Sequence, residues 1–468
     1  MTPSIPRPSA SPFDVVVLGA GLAGLTAAWS AARRDARVLV LEKADRPGGS
    51  SALSAGMFWT APTLEAFEKR IPLGDRVLGG RLVGDYPGAV EELRASGVQV
   101  NADPQFGIMT YGIGYSFDVR GLLARQTERL DELGVEVRTG TTIATASRDD
   151  DGLFRLELLG EDGSTVRSRS LILASGGFQG SSVKLAEHMR ANAGRLVHRS
   201  NPVSAGAGLD LAEALGATTA GDLGTFYGHL LPSPLASFEP ANFLPYSQYY
   251  SEKTILVNAD GKRFADETLG DELLNQLLAR QPGARGALVF DDEVRRNDAT
   301  AEPFPNLGVL DRYQAGVDAG AAHVEAQTLD DLASRIGALG IAADAFRRTV
   351  ADYTAAVGSS DDSAGGVAVS PQARIPRTPP FYAIAVQPSI TFTLGGIRID
   401  ENARALDAAG QAIPGLFAAG ADIGGLSNFG YAGGLAPAYI TGRWAGDAAA
   451  AHLDPVTTSR TAAREERA

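Results

Sequence analysis

Residues 13–56 read FDVVVLGAGLAGLTAAWSAARRDARVLVLEKADRPGGSSALSAG, and the fold is decided there. Phe13–Leu18 is a short β-branched run that ends in Gly19, Gly21 and Gly24, spaced GxGxxG. An Ala-rich helical stretch from Leu22 to about Arg34 follows, and then a second apolar run, Val38–Leu41. Strand, glycine turn, helix and strand in that order predict the nucleotide-binding half of a doubly wound α/β sheet. The first glycine permits the tight turn, the second lets the backbone approach a pyrophosphate, and the third lets helix and strand pack closely. At the helix mouth, Leu22 and Ala23 offer free amides and the positive end of the helix dipole to phosphates. Glu42 ends the second run, where a carboxylate accepts hydrogen bonds from a ribose diol.

NAD, NADP and FAD share this fingerprint, and the segment after Glu42 chooses among them. Lys43–Gly56, KADRPGGSSALSAG, puts a second glycine pair and several hydroxyls just past the ribose-binding acid. Lys43, Gly49, Ser50, Ser51, Ser54 and Gly56 suit a pyrophosphate and ribityl chain lying across the domain, so FAD is the expected cofactor. No second GxGxxG follows a later strand, so a separate nicotinamide domain is not expected. The electrons then go to an external acceptor such as oxygen, a quinone or a dye.

The rest of the chain sets bounds. Its 468 residues exceed one ordinary core and suit two domains. With 44% apolar and 21% charged residues, and no apolar run near the ~20 that cross a bilayer, a soluble protein without an integral membrane segment is expected. MTPSIPRPSASPF lacks the long apolar stretch of a secretory signal, which makes the cytoplasm the default address. There are no cysteines, which excludes disulfides, thiolate metal sites and iron–sulfur clusters. Any redox centre is then organic. A net charge of −13 without a basic stripe argues against nucleic acid. The five histidines never stand at helical ligand spacing, so no metal site is expected.

Along the chain, a helical pattern at Gly121–Leu133 precedes strand-like Val135–Arg138, Phe154–Leu159 and Ser170–Ala174. From about Gly221 the texture turns to aromatic clusters, Pro-rich turns and helical patterns at Asp271–Arg280 and Leu329–Val357. A loose stretch, Gly358–Pro380, leads back to strand and turn character, with an apolar strand at Gly415–Ala421 and a long helix at Leu435–Leu453. The expected architecture is a Rossmann-type FAD-binding domain at 13–220 and 381–455, interrupted by an α+β capping domain at 221–380. Residues 1–12 and 456–468 read as flexible tails.

Four blocks carry a family resemblance: VVVLGAGLAGLTAAW with LEKADRPGGSSALSAG; LILASGGFQG at 171–180; LVNADGKRFADE at 256–267; and GGIRIDENARAL with IPGLFAAGADIGGL through GRWAG. The chain resembles the fumarate reductase and succinate dehydrogenase flavoprotein superfamily, which includes the ketosteroid dehydrogenases. The resemblance implies a bipartite FAD domain, a cap and an active site in the cleft between them. It places the flavin ring against Ser50–Gly56, the adenine near Ile143, and further cofactor contacts at Ala174, Gly176 and Gly420. It puts Asp422 near the ribityl chain and the helix start Gly434, Leu435 and Ala436 under the flavin. Covalent members carry a histidine in the segment matching Arg46–Gly56; none stands here, so FAD is expected to be held non-covalently.

Dicarboxylate reductases of that superfamily grip two carboxylates with arginine and histidine and protonate carbon with an arginine. Here Gly270 stands at the acid arginine's place, Phe392 at the histidine before the glycine turn, and Tyr431 at the late arginine. The replacement set is phenolic and neutral. Tyr431 with the Gly434 amide resembles the carbonyl grip of ketosteroid dehydrogenases, an oxyanion hole in function. Tyr250, with Tyr249 beside it, is the expected proton acceptor, and Tyr115 a helper. The expected reaction moves an α-proton to Tyr250 and a β-hydride to flavin N5, leaving a cyclic enone. Reduction of an enone or enoate by the same parts, and an electron-transfer flavoprotein without a small substrate, are the competing readings. His229, Lys262 and Arg263 are read as structural, with Lys262 and Arg263 pairing with Glu267 or the sheet edge.

Overall fold

The structure, a computed structural model, describes residues 11–453 apart from 160–163, 190, 304–306, 358, 360 and 361. Residues 1–10 and 454–468, which hold most of both expected tails and the last two residues of the expected FAD-binding domain, lie outside the described residues.

Phe13–Leu18 is the central strand of an eight-stranded sheet, parallel to Val38–Leu41 on one side and Thr165–Leu173 on the other. Glu136–Arg138 extends it beyond the former and Ala412–Ala418 beyond the latter, both in parallel. Val15, Val16 and Val17 are fully buried, which is why the strand reads as an unbroken β-branched run rather than an alternation. Leu22–Ala32 and Leu435–His452 pack against each other over this sheet. The chain therefore leaves the first sheet and returns to it near its end, closing one core from distant segments.

A second sheet of six strands is built around Phe381–Ile390. Gly286–Asp291 and Ile255–Asn258 extend it antiparallel on one edge, and Leu230–Pro232 and His323–Ala326 pair on the other. Its two faces feed separate cores in strict alternation. Val257, Val289 and Ala383 fall in one, Leu256, Leu288 and Ile384 in the other. The boundary expected at residue 381 is displaced by this sheet: Phe381–Ile390 is its centre, and Val197–His198 pairs with Ser389 and Ile390. A strand buried on both faces has no alternation to say which sheet it joins, so the sequence pattern could not place it. The helical stretch expected at Leu329–Val357 is two helices, Leu329–Arg335 and Ala343–Ala356, separated at Gly340 with φ +77°.

A small sheet of Gln105–Ile108, Met57–Thr60 and Gly112–Ser116 stands at the junction of the two units. No helix among the described residues is long and apolar enough to cross a membrane.

Candidate active site

A cavity of about 550 Å³ runs from the glycine turn of the first sheet to Tyr227, Phe243 and Tyr249 of the capping segment. At one end the wall is backbone. Gly19 has φ +101°, and a Cβ there would lie 2.3 Å from the Ala174 carbonyl oxygen. A Cβ on Gly24 would lie 1.9 Å from the Gly19 carbonyl oxygen. Gly21 differs, because nothing stands within 4 Å of where its Cβ would be. Two of the three glycines are demanded by the protein's own packing; the third leaves open space on the cavity wall, where the fingerprint puts the pyrophosphate. Glu42 is held at the end of its strand by the amides of Ala20 (2.7 Å) and Ala44 (2.8 Å) and lines the cavity beside Lys43. The residues present fit FAD.

Leu22, Ala23, Gly49, Ser50, Ser51, Ser54, Ile143, Ala174, Gly176, Gly420, Gly434 and Leu435 also line the cavity. Gly24, Gly56, Asp422 and Ala436 do not. Gly56 is fixed by its φ of +83° and the nearby Phe117 carbonyl. Asp422 is a correction to the ribityl contact. Its buried carboxylate turns to the Ser175 amide and hydroxyl, and burial pushes its pKa up to about 7. It braces the turn after Leu173 from behind.

At the other end the wall is aromatic. Tyr431 is 4% exposed; its ring stacks on Tyr227 at 3.8 Å between centroids and meets Trp59 edge-on at 5.2 Å. Phe392, in the place of the expected histidine, packs 5.7 Å from it. A Cβ on Gly434 would lie 2.8 Å from the Tyr431 hydroxyl, so that hydroxyl sits beside the start of the helix Leu435–His452, whose first amides have no intrahelical acceptor. Residues 431–434 are clamped by the small sheet. Tyr111 donates to the Tyr431 carbonyl at 2.6 Å, Thr60 donates to the Ala432 carbonyl at 2.8 Å, and Gly433, at φ +104°, lies where a Cβ would meet the Trp59 carbonyl oxygen at 2.3 Å.

Behind Tyr431 runs a buried polar chain. The Tyr227 hydroxyl and His229 Nε2 are 2.7 Å apart, and His229 Nδ1 is hydrogen-bonded to Asp271 Oδ2. Asp271 opens the helix Asp271–Ala279, where the dipole favours an anion, and its Oδ1 accepts from the Leu230 amide at 3.1 Å. Burial pushes the Tyr227 phenol well up, the His229 imidazole well down and the Asp271 carboxyl well up, so each is biased to its neutral form. Burial likewise raises the Tyr431 phenol. Such a chain can pass a proton without leaving a separated charge in the interior.

Among the tyrosines expected at the site, Tyr431 and Tyr249 line the cavity, and Tyr249 meets the His229 ring edge-on at 4.8 Å. Tyr250 is a correction. It lies in the core of the capping sheet against Phe290, its hydroxyl donates to Gln248 Oε1 at 2.6 Å, and burial raises its phenol well above the ordinary range. Consecutive residues of the turn Tyr249–Lys253 point different ways, so only one of the pair reaches the cavity. Tyr115 is a second correction: its ring stands under Arg94, away from the cavity. The pocket is also not neutral, because Arg199 is on its wall. Arg263 pairs with Glu267 at 2.6 Å.

Sequence reasoning missed Tyr227, Asp271 and Arg199 as site residues. The signal for the first was FYGHLL, where Tyr227 and His229 are two apart on an extended segment and so share a face. Asp271 follows Gly270 directly, one place after the missing arginine.

Comparisons with known proteins agree with this layout. The FAD binding domain family matches residues 105–435, and the FAD dependent oxidoreductase family matches residues 14–98. The chain is similar to fumarate reductase (cytochrome) of Shewanella frigidimarina, 29% identical over 467 residues, covering 93% of this chain and 77% of that one. It is also similar to 4-oxocyclohexanecarboxylate 2-dehydrogenase of Sinomonas cyclohexanicum, 28% identical with 94% and 95% covered. Its fold matches that of 3-ketosteroid-Δ4-(5α)-dehydrogenase from Rhodococcus jostii, with a TM-score of 0.71, 23% identity, and 96% and 98% of the two chains covered.

Proposed function

The chain is an FAD-dependent oxidoreductase belonging to the fumarate reductase and succinate dehydrogenase flavoprotein superfamily, and from that premise we propose that it desaturates a cyclic ketone next to its carbonyl. The observation that carries this reading is the Tyr431 hydroxyl beside Gly434 at a helix start, backed by Tyr227, His229 and Asp271.

The substrate carbonyl oxygen accepts hydrogen bonds from the Tyr431 hydroxyl and the Gly434 amide. Both donors stabilise the negative charge that grows on that oxygen as the α-carbon loses its proton. Tyr227 takes the α-proton while its own proton moves to His229 Nε2 and the His229 Nδ1 proton passes to the Asp271 carboxylate, so that Tyr227, His229 and Asp271 all end neutral. A general base of this kind is worth ~10²–10⁴ in rate. The mutually packed rings of Tyr431, Tyr227, Phe392 and Trp59 form an apolar wall of the cavity that suits the face of a ring and keeps water from the enolate. When bound, FAD supplies the two-electron acceptor for the β-hydride. With serines rather than a histidine on the adjoining wall, FAD is held non-covalently, and acid precipitation releases it into the supernatant. An external acceptor then removes the electrons.

The name of the Shewanella relative favours one second reading, reduction of an activated double bond, for which the same residues run in reverse. Anaerobic mixing of the FAD-loaded protein with cyclohexanone, 4-oxocyclohexanecarboxylate, a 3-ketosteroid and succinate tests the assignment. A ketone bleaches the flavin band and succinate does not. Bleaching by succinate alone would overturn it, and a chain that only oxidises reduced flavin with enones would select the reverse direction.

A further inference from the structure

Arg199 is a buried cation on the cavity wall, 4% exposed, and among the described residues no carboxylate stands within ion-pair distance of it. Its partners are neutral: Thr391 Oγ1 at 3.0 Å, the Phe243 carbonyl at 3.1 Å and Ser247 Oγ at 3.2 Å. These use three of the five N–H donors of a guanidinium, and Nε has no acceptor. Two other arginines drawn into the interior are treated differently, Arg70 meeting Glu272 at 2.7 Å and Arg263 meeting Glu267 at 2.6 Å. Arg312 also lacks a carboxylate, but it lies off this cavity, with backbone carbonyls for partners.

A fixed charge taken out of water without a counter-ion is costly, and a ligand anion relieves that cost. The cofactor's phosphates belong at Gly21 and the helix mouth, whereas Phe243 and Ser247, which hold Arg199, come from the capping segment. The field of Arg199 reaches Tyr227, Tyr249 and Tyr431, which places it at the substrate end.

We infer that the substrate is an oxo acid, with its carbonyl at Tyr431 and Gly434 and its carboxylate at Arg199. This deepens the ketone reading and rests on it. The planar guanidinium edge suits a carboxylate, and the buried setting strengthens the pair. The anion has a second effect. A negative charge beside Arg199 offsets the guanidinium field that disfavours protonated His229, so His229 becomes a better acceptor for the proton arriving through Tyr227. Recognition of the acid and strength of the base are then coupled.

The test compares 4-oxocyclohexanecarboxylate with its methyl ester, which keeps the ring and ketone and loses the charge, on the full FAD-loaded chain. The wild-type ratio of kcat/KM for acid over ester is at least ~100, falls by about that factor in Arg199→Gln, and is intermediate in Arg199→Lys. Flavin content and melting temperature check that the variants are folded; if Arg199→Gln does not hold FAD, the wild-type ratio and the lysine variant decide. A wild-type ratio near one overturns the inference and leaves the ketone reading standing. If neither compound is turned over, but the acid shifts the flavin absorbance in wild type and does so only at higher concentration in Arg199→Lys, the dehydrogenation reading fails and the carboxylate site stands. Absence of both turnover and binding of the acid overturns the inference.

Discussion

The two ends of the cavity are made of different material. The cofactor end is backbone, with Gly19 and Gly24 locked against their neighbours and Gly21 open to the ligand. The substrate end is side chain, with Tyr431, Tyr227, His229, Asp271 and Arg199 drawn from segments up to 232 residues apart. A backbone cradle is contiguous and tolerates no change of shape. A side-chain site is assembled by the fold, and each member can be replaced to alter the chemistry while the cradle stays. That difference lets one architecture serve relatives named for fumarate reduction and for ketosteroid dehydrogenation.

The contrast can be broken most severely at the cradle. Gly24→Val drives side-chain atoms into the Gly19 carbonyl, and the purified chain should carry no FAD by its absorbance near 450 nm; full flavin content would show that the turn is not the cofactor's seat. At the other end, Tyr431→Phe should lower kcat/KM for a ketone by ~100-fold, as loss of one oxyanion donor does, and leave flavin content unchanged. An unchanged rate would remove Tyr431 from the mechanism.

Between the ends, Asp422 ties the turn after Leu173 to the returning strand. Its folded pKa of about 7 lies above an ordinary carboxyl near ~3.9, so the fold keeps a proton that the unfolded chain releases. Stability from this group is present at low pH and declines as pH rises from about 4 to 7, by roughly 4 kcal/mol at most. Asp422→Asn keeps an acceptor for Ser175 and cannot ionise. Its melting temperature should exceed that of wild type at pH 8 and approach it at pH 4.5. Glu272, raised by burial to about 7, contributes a slope of the same sign, so the variant's pH dependence is reduced and not abolished. Identical slopes would contradict the assignment. The smallest effect is expected at Tyr250→Phe: turnover within ~2-fold of wild type and a stability loss of about 1 kcal/mol for the hydrogen bond to Gln248. A large fall in turnover would restore Tyr250 to the chemistry.

The same contrast governs what the sequence discloses. The cradle was legible because its rules are local. GxGxxG, the strand before it and the acid after it are read within residues 13–42, and Ser50, Ser51 and Ser54 line the same cavity. Tyr431 and Gly434 were legible for a similar reason, since four consecutive residues hold both. Tyr227 and His229 are two apart in one segment, but Asp271 meets them only because Leu230–Pro232 pairs with Phe381–Ile390 and the helix Asp271–Ala279 packs against both strands, and no short-range pattern encodes that meeting. Tyr250 stands out in the sequence because a tyrosine cluster is conspicuous, whereas which ring of the cluster faces the cavity is set by the turn. Arg199 escaped notice because a single arginine after a two-residue strand carries no spacing signal.

The central claim is that Tyr227, backed by His229 and Asp271, accepts the α-proton. Anaerobic stopped-flow measurement of flavin bleaching by a ketone substrate, comparing wild type with Tyr227→Phe at equal flavin content, tests it directly. The phenylalanine variant should bleach at least ~100-fold more slowly, with the ketone still bound. Bleaching at the wild-type rate would contradict the account.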